Sequence, residues 1–184
     1  MPKISIWEGK ASANNDSCFS LINSDLYRLR QNKGLKEFVY CYFRRPMFRY
    51  QVWLRITHSW KNNKFLRIFS VFPWLIYRKY EFKFGVHISS NIEIGEGLCV
   101  VHGDGVYLNA SKIGKNLTVY QNVTLGIMSG KIPIVCDNVT IYPNAVVYGG
   151  VIIENNATIG ANSVVNKNVP CGKTVVGAPA REIN

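Results

Sequence analysis

The feature that most constrains this chain is an aliphatic residue that recurs at every sixth position through its second half. The longest unbroken series is Val135, Ile141, Val147, Ile153, Ile159 and Val165. Four residues after each member comes a small or β-branched residue, in the series Val139, Ala145, Val151, Ala157, Ser163 and Val169. A period of six does not fit an α-helix, and tandem units of this kind predict a solenoid. We expect a parallel β-helix in which three hexapeptides make each coil, the aliphatic residue points inward, and Gly, Asn or Asp makes the corners.

Two upstream series, Ile88, Ile94 and Val100 and then Ile113, Val119 and Leu125, continue the pattern. The period is broken after each of them. From Val100 to Ile113 is 13 residues, one more than two repeats, and from Leu125 to Val135 is 10, four more than one repeat. The solenoid should therefore bulge near residues 102–106 and extrude a loop around residues 127–133.

Interruptions in a stiff scaffold are places where function is often carried, although a tolerated surface insertion has the same appearance in sequence. The two histidines of this half, His87 and His102, lie around the first interruption. Their position favours a functional bulge.

The first 84 residues have a different character. They hold 16 Lys+Arg against 5 Asp+Glu and 19 of the 23 aromatic residues, whereas residues 85–184 hold six charges of each sign. We therefore divide the chain into a basic, aromatic helical region (residues 1–84) and a β-helix domain (residues 85–184) with a C-terminal tail from about residue 171.

Apolar spacing predicts four helices in the first region. One covers residues 20–30, a second runs from Lys36 to Arg45, and a third starts at Pro46, a residue suited to the first turn of a helix. A fourth, over residues 61–80, should be kinked or broken by Pro73.

Composition excludes several classes of protein. The N-terminus has no apolar core of a secretory signal, and no uncharged apolar run approaches the roughly 18 residues that a spanning helix needs. The five cysteines are scattered and contain no CxxC pair, which argues against a disulfide framework or a zinc finger. These observations predict a cytoplasmic protein. The repeat also creates Asn-x-Ser/Thr triplets, which we interpret as coil corners at Asn109, Asn116, Asn122, Asn138 and Asn156.

Three strings carry a family resemblance: Ile94-Gly-Glu-Gly-Leu-Cys-Val-Val-His-Gly-Asp-Gly-Val, Gln121-Asn-Val-Thr-Leu-Gly and Val176-Gly-Ala-Pro-Ala-Arg. Together with the repeat, they resemble the hexapeptide-repeat acetyltransferases of the serine acetyltransferase type, over roughly residues 85–184. The resemblance implies a left-handed β-helix, a homotrimer, and acetyl-CoA bound in the groove between neighbouring subunits, with no metal.

The family's catalytic base matches His102. Transfer of acetyl to a hydroxyl needs a base for the hydroxyl proton, and imidazole suits that role near neutral pH. The partner that orients His102 is left open between His87, which stands at the family's position, and Asp104. The non-catalytic alternatives are that His102 is a structural residue in a turn and that His87 is a solvated residue at the start of the solenoid.

For acetyl-CoA, the contacts that the family implies fall on Gly126, Lys131, Pro143, Ala161, Lys167 and Arg181. Small residues would let the pantetheine arm lie along the coil, and Lys167 and Arg181 would meet phosphates. Lys131 would serve the adenosine phosphate or the acceptor. The small residues are also ordinary coil corners.

The acceptor side departs from the serine enzymes. Val101 stands where they carry Asp before the catalytic His, His87 stands where they carry the Asp that pairs with it, and Lys131-Ile132 replace Arg-His in the extruded loop. The pattern looks closer to the capsule and exopolysaccharide O-acetyltransferases. We therefore expect an acetyl-CoA-dependent O-acetyltransferase acting on a sugar hydroxyl of a surface polysaccharide or its precursor, with L-serine as the alternative acceptor.

Two readings outside this activity are weaker. A non-catalytic binding module would place the basic region on nucleic acid, but its cations are interleaved with bulky apolar residues, so we expect no nucleic-acid partner. A metal hydrolase on the same scaffold would need three His ligands, and the solenoid offers two.

The basic region is the place for a further partner. Residues 62–80 combine Phe65, Phe69, Phe72 and Trp74 with Lys61, Lys64, Arg67, Arg78 and Lys79 around them. One interpretation is peripheral contact with the anionic inner face of a membrane. The other is that these aromatics pack on the first coil and against neighbouring subunits.

Overall fold

The computed structural model describes residues 17–183, in which a helical cap (residues 17–84) covers one end of a β-solenoid (residues 86–182). The helices are α1 (Cys18–Arg30), α2 (Leu35–Arg44), α3 (Pro46–Asn62) and α4 (Val71–Phe84), and a 3₁₀ turn (Leu66–Phe69) precedes α4. Helix α4 ends at Gly85, whose φ of 60° is left-handed. The segment 1–16, on which the prediction of no secretory signal rests, lies outside the described residues.

The first three predicted helices are confirmed, and Pro46 is the first residue of α3. The prediction that Pro73 breaks the fourth helix is wrong in position. The break falls at Ser70, between the 3₁₀ turn and α4, and Pro73 lies in the first turn of α4. A first-turn residue needs no intrahelical N–H partner, so proline is tolerated there.

The solenoid strands form three sheets, and each of the first four coils contributes one strand to each sheet. The fifth coil adds strands to the first and third sheets and meets the second through a single bridge between Ile153 and Val169. The first sheet holds β1 (Val86–Ile88), β4 (Val106–Leu108), β7 (Thr124–Gly126), β10 (Val146–Tyr148) and β13 (Val164–Val165). The second holds β2 (Glu93–Ile94), β5 (Lys112–Ile113), β8 (Ile134–Val135) and β11 (Ile152–Ile153). The third holds β3 (Cys99–Val100), β6 (Thr118–Val119), β9 (Thr140–Ile141), β12 (Thr158–Ile159), β14 (Thr174–Val176) and the antiparallel β15 (Arg181–Glu182).

The repeat determines the core, as predicted. Every aliphatic residue of the six-residue series is buried, and so are the residues four positions later in the unbroken series from Val135 to Val165, Ser163 included. Both interruptions are also where the sequence places them. Val100 pairs with Val119 and Leu108 pairs with Leu125 in neighbouring coils. Eight positions separate the first members of these pairs and only six separate the second members, so the first coil holds two extra residues here. Residues 101–105 therefore bulge outward. The loop after β7 folds back through a bridge between Met128 and Lys131.

Asparagine corners join the coils. Asn122, Asn144 and Asn162 have φ values of 55°, 63° and 58°, and their side-chain amides form a ladder with N···O distances of 3.0 and 2.9 Å. Asparagine tolerates this left-handed conformation better than most residues. Four of the five Asn-x-Ser/Thr asparagines, Asn116, Asn122, Asn138 and Asn156, are left-handed corners, which confirms the interpretation for them.

The cap satisfies the open backbone edge of the first coil. Arg55 forms a buried bidentate ion pair with Asp25 at 3.0 Å and donates to the carbonyls of Ile94 and Gly95. Asp25 in turn accepts from the N–H of Leu98 at 2.8 Å. A sheet edge without such partners would be open to pairing with another chain.

Two further side chains of α3 complete the edge. The Gln51 amide donates to the Leu98 carbonyl at 2.7 Å and accepts from the N–H of Val100 at 3.3 Å. The Tyr50 hydroxyl accepts from the N–H of Ile88 at 3.2 Å. Across residues 17–183, no helix combines the length and the apolar character needed to cross a bilayer.

Candidate active site

The bulge at residues 101–105 is held by backbone hydrogen bonds on both sides. The N–H of Asp104 donates to the carbonyl of Phe84 at 2.7 Å, and the N–H of Val106 donates to that of Gly85 at 3.1 Å. On the other side, Asn122 of the next coil donates to the Asp104 carbonyl at 3.0 Å. The bulge is thus pinned between the end of α4 and the second coil.

Two glycines allow this close packing. A Cβ on Gly103 would lie 2.7 Å from the Phe84 carbonyl oxygen, and one on Gly105 would clash with Oδ1 of Asn122. Gly105 also has a φ of 75°, which a side chain would strain. Close approach therefore explains these glycines, and His102 projects from a rigid turn.

His102 itself is exposed at the outer side of the bulge, and Asp104 is exposed beside it. No hydrogen bond or ion pair of residues 17–183 joins the His102 imidazole to His87, to Asp104 or to any other group. An exposed imidazole without a partner is free to meet a ligand.

His87 lies on the outer face of β1, opposite Tyr107 of β4, with ring centroids 5.4 Å apart. Its Nδ1 is 3.4 Å from Oε1 of Glu81, a buried carboxylate in the last turn of α4. Glu81 also accepts from the Tyr77 hydroxyl at 3.2 Å and pairs with Arg78. Sequence reasoning missed Glu81, and the available signal was a lone acid in the helix that leads directly into β1.

A cleft of about 420 Å³ opens beside His87, between α4 and the first sheet. Its walls are mostly polar and include Arg78, Glu81, Asn109 and the rings of Trp74 and Tyr107. Charged, amide and aromatic groups converge there, so the cleft can bind a small polar molecule.

One edge of the solenoid, formed by residues 101–105, 120–123, 142–145 and 160–163, joins the third sheet to the first; we call it the His102 edge. Pro143 and Ala161 lie on it in successive coils, since the N–H of Asn162 donates to the Pro143 carbonyl at 3.0 Å. Gln121 lies on it too, next to the bulge, and its buried Oε1 has no hydrogen-bond partner among the described residues. The structure thus aligns two of the predicted coenzyme residues with the predicted base.

The other predicted coenzyme residues lie elsewhere. Gly126 ends β7, Lys131 lies in the extruded loop with its stem over Gly150, and Lys167 follows β13, all at the edge that joins the first sheet to the second, which we call the Lys131 edge. Arg181 is exposed on β15, beside Val176 of the third sheet. One chain therefore does not gather the six residues into a single pocket.

Residues 17–183 contain no group of three or more His, Cys, Asp and Glu side chains placed to hold a metal ion. Their five cysteines are free thiols.

Known proteins share this repeat and sequence. Residues 133–167 match the family described as bacterial transferase hexapeptide (six repeats). A serine acetyltransferase of Staphylococcus xylosus is 40% identical over 131 residues, which cover 67% of this chain and 58% of that protein. One from Staphylococcus aureus (strain N315) is 45% identical over 101 residues, covering 52% of this chain and 47% of the relative. The chain thus spans about half the length of these curated relatives.

Solved structures agree with the fold. The serine acetyltransferase of Neisseria gonorrhoeae superposes with a TM-score of 0.76 at 27% identity, covering 93% of this chain and 68% of that one. A serine acetyltransferase in complex with CoA gives a TM-score of 0.74 at 25% identity, covering 92% and 71%. The soybean enzyme complexed with serine gives 0.76 at 27%, covering 91% and 70%.

The fold and the repeat define a left-handed β-helix of hexapeptide repeats, the architecture of the transferase class that residues 133–167 match. Within that class, serine acetyltransferases are homologues of this chain. These homologues give no support to the expected closeness to capsule and exopolysaccharide O-acetyltransferases, or to a part in polysaccharide biosynthesis.

Proposed function

We propose that this protein transfers acetyl from acetyl-CoA to an acceptor hydroxyl, with His102 as the general base. The observation that carries the proposal is the exposed, unpartnered His102 on a rigid bulge, in line with Pro143 and Ala161. His102 takes the hydroxyl proton while the oxygen attacks the thioester carbonyl. The tetrahedral intermediate then expels the CoA thiolate, which receives that proton from the imidazolium, leaving an acetyl ester and free CoA.

The orienting partner of His102 remains a choice between two residues. Asp104 is two positions along the same turn, and its backbone is held by Phe84 and Asn122. His87 is itself held by the buried carboxylate of Glu81. This contact supports a role in which Glu81 fixes the His87 imidazole and His87 in turn orients His102. Either variant, His87→Ala or Asp104→Asn, should lower kcat less than loss of the base and should shift the pH profile of kcat.

The coenzyme site is proposed to form between subunits of a homotrimer. The split of the predicted residues between the His102 edge and the Lys131 edge supports this, because two chains side by side can bring opposite edges together. Pro143, Ala161 and Gly126 would let the pantetheine arm lie flat. Lys131, Lys167 and Arg181, all exposed, would meet phosphates.

Exposed Ile134 and Ile152 on the outer face of the second sheet give such a neighbour an apolar surface. Light scattering at micromolar concentration should report a trimer. A monomer would contradict the trimer and the intersubunit coenzyme site together.

L-Serine is the acceptor that the homologues favour, since the relatives and structures reported above are serine acetyltransferases and two such structures are solved with serine. The chemistry of the site favours a second candidate, a sugar hydroxyl. Val101 and Ile132 are apolar where the resemblance implies charged residues, and the cleft beside His87 offers Trp74 and Tyr107 rings against which a sugar can stack. Such a sugar would belong to a surface polysaccharide or to a lipid-linked precursor at the cytoplasmic leaflet.

The test is acetyl transfer from radiolabelled acetyl-CoA to L-serine, nucleotide sugars and capsule oligosaccharides, each measured separately. The proposal expects labelled ester with one acceptor class, and the class that is labelled decides between serine and a sugar. The His102→Asn variant is the control for spontaneous transfer. Label in no acceptor, from protein that binds acetyl-CoA, would favour the non-enzymatic alternative of a binding module.

A further inference from the structure

The tip of the cap exposes an unusual amount of apolar surface. Between the end of α3 and the second turn of α4, six large side chains face solvent, a set that we call the apolar tip: Phe65, Ile68, Phe69, Val71, Phe72 and Leu75. The first three are 88%, 79% and 65% exposed. Contiguous apolar surface of this kind on a soluble fold marks an interaction site.

The exposure comes from an ordered turn. Oδ1 of Asn63 accepts from the N–H groups of Phe65 and Leu66 at 2.9 and 3.1 Å, which fixes the chain as it leaves α3. The Ser70 hydroxyl donates to the Arg67 carbonyl at 2.7 Å, at the junction with α4. Between the apolar tip and Trp60 lies an open apolar cleft of about 510 Å³. Specific capping therefore presents these side chains to the outside.

The charge around the apolar tip has a single sign. Residues 38–80 contain nine Lys and Arg and no Asp or Glu. Among residues 17–183, no carboxylate lies within ion-pair distance of Lys64, Arg67 or Lys79. Lys61 and Arg78, which the sequence also places at this surface, are engaged internally, with Ser90 and Glu81 respectively.

The alternative interpretation is that these aromatic side chains pack on the first coil. Within one chain it is wrong for Phe65, Phe69 and Phe72, since all three are exposed. With residues 17–183 of the same chain leaving these side chains uncovered, a second copy of the chain is the next protein occupant to consider. A self-complementary contact would bring Lys64, Arg67 and Lys79 of two tips together with no acid of residues 38–80 between them, which is unfavourable.

We propose that the apolar tip inserts into the interface of an anionic lipid membrane, with Lys64, Arg67 and Lys79 at the headgroups. Side chains such as Phe and Ile favour the boundary between headgroups and acyl chains, and cations near an anionic leaflet are attracted to it. The contact is peripheral. It holds the solenoid, and the cleft beside His87, close to the membrane surface.

The test is co-sedimentation of the full chain with vesicles of phosphatidylcholine, with and without phosphatidylglycerol, over a range of salt. Binding should require phosphatidylglycerol and weaken as salt rises. The combined Lys64→Glu, Arg67→Glu and Lys79→Glu variant should lose at least about 100-fold in partition coefficient, since each lost cation costs about 1 kcal/mol and each new carboxylate is repelled by the anionic lipid. The matched control carries the same charge change at exposed residues near α2, Lys33→Glu, Lys36→Glu and Arg44→Glu, and should lose much less.

A second variant, Phe65→Ser with Phe69→Ser, keeps every charge and should lower the partition coefficient at least about tenfold. Both tip variants should keep their oligomeric state and their acetyl transfer to soluble acceptors, which separates failure of this inference from failure of the proposed activity. Equal losses in the tip and control charge variants would overturn the inference. The inference would also be overturned if wild-type protein failed to bind phosphatidylglycerol vesicles at low salt. The same holds if the Phe65→Ser, Phe69→Ser variant changed its oligomeric state and kept its lipid binding.

Discussion

The solenoid and the helical cap are stabilised in different ways. In the solenoid, each coil repeats the previous one, so a buried aliphatic residue such as Ile141 packs between its counterparts Val119 and Ile159. The cap has no repeat, and individual side-chain contacts hold it against the first coil. One ion pair, Asp25–Arg55, and one amide, Gln51, satisfy most of the open edge beneath the first coil.

This difference has a consequence for where the chain can carry function. A coil residue has equivalent neighbours above and below, so any insertion stands out as a bulge or loop. At the junction of the two regions the bulge that carries His102 meets the end of α4 at Phe84, and the candidate base lies there. Perturbations of the cap, the junction and the solenoid should therefore have separable effects.

Removal of the cap's central ion pair should have the largest effect on stability. Arg55→Leu leaves the Asp25 carboxylate buried without its partner, which should cost about 3–5 kcal/mol in the free energy of unfolding measured in urea. Arg44→Leu, at an exposed position in α2, is the control and should cost less than about 0.5 kcal/mol.

The stability of Arg55→Leu should also depend on pH. Burial raises the pKa of Asp25 and Arg55 opposes the rise, so without Arg55 the folded-state pKa lies further above the unfolded value. The folded variant then binds a proton that the unfolded chain does not. Its deficit in stability should shrink as pH falls and grow as pH rises. A deficit that is independent of pH, or equal to that of Arg44→Leu, would show that the pair does not hold the cap.

A substitution at the junction should have an intermediate effect. Gly103→Ala places a methyl group 2.7 Å from the Phe84 carbonyl, so the bulge must move away from α4 at a cost of about 1–3 kcal/mol. Because His102 is the adjacent residue, acetyl transfer should fall as well. Gly126→Ala is the control for stability, since its methyl group would meet atoms no nearer than 3.8 Å. If Gly103→Ala were as stable as Gly126→Ala, the bulge would be looser than its contacts indicate.

The smallest effect should come from a corner of the solenoid. Asn144→Ala removes the middle of the amide ladder and puts alanine at a φ of 63°, at a total cost of about 1–2 kcal/mol. Asn144→Gly removes the same amide without the conformational cost, and its thermal midpoint should lie between those of Asn144→Ala and wild type. Equal midpoints for the two variants would mean that the left-handed corner carries no strain.

The two regions also differed in how far the sequence predicted them. In the solenoid, the six-residue period predicted each inward-facing position, because every coil repeats the same pattern. The two breaks in the period located the bulge and the loop. No comparable signal exists for a contact between residues as distant as Asp25 and Arg55, or for Glu81 beside His87. The helix break at Ser70 was missed because Pro73 stands out in sequence, while a first-turn proline fits a helix. The separation of the six coenzyme residues between two edges depends on coil geometry, which a linear motif does not contain.

The central claim is that His102, at the junction of the two regions, removes the acceptor's proton. The most direct measurement is kcat for acetyl transfer by His102→Asn, alongside the dissociation constant for acetyl-CoA. His58→Asn, a histidine of the cap that bonds the Ser90 carbonyl, is the control. We predict that kcat falls by about 10²–10⁴-fold for His102→Asn, with unchanged acetyl-CoA affinity, and stays near wild type for His58→Asn. A His102→Asn variant that turns over at the wild-type rate would contradict the account.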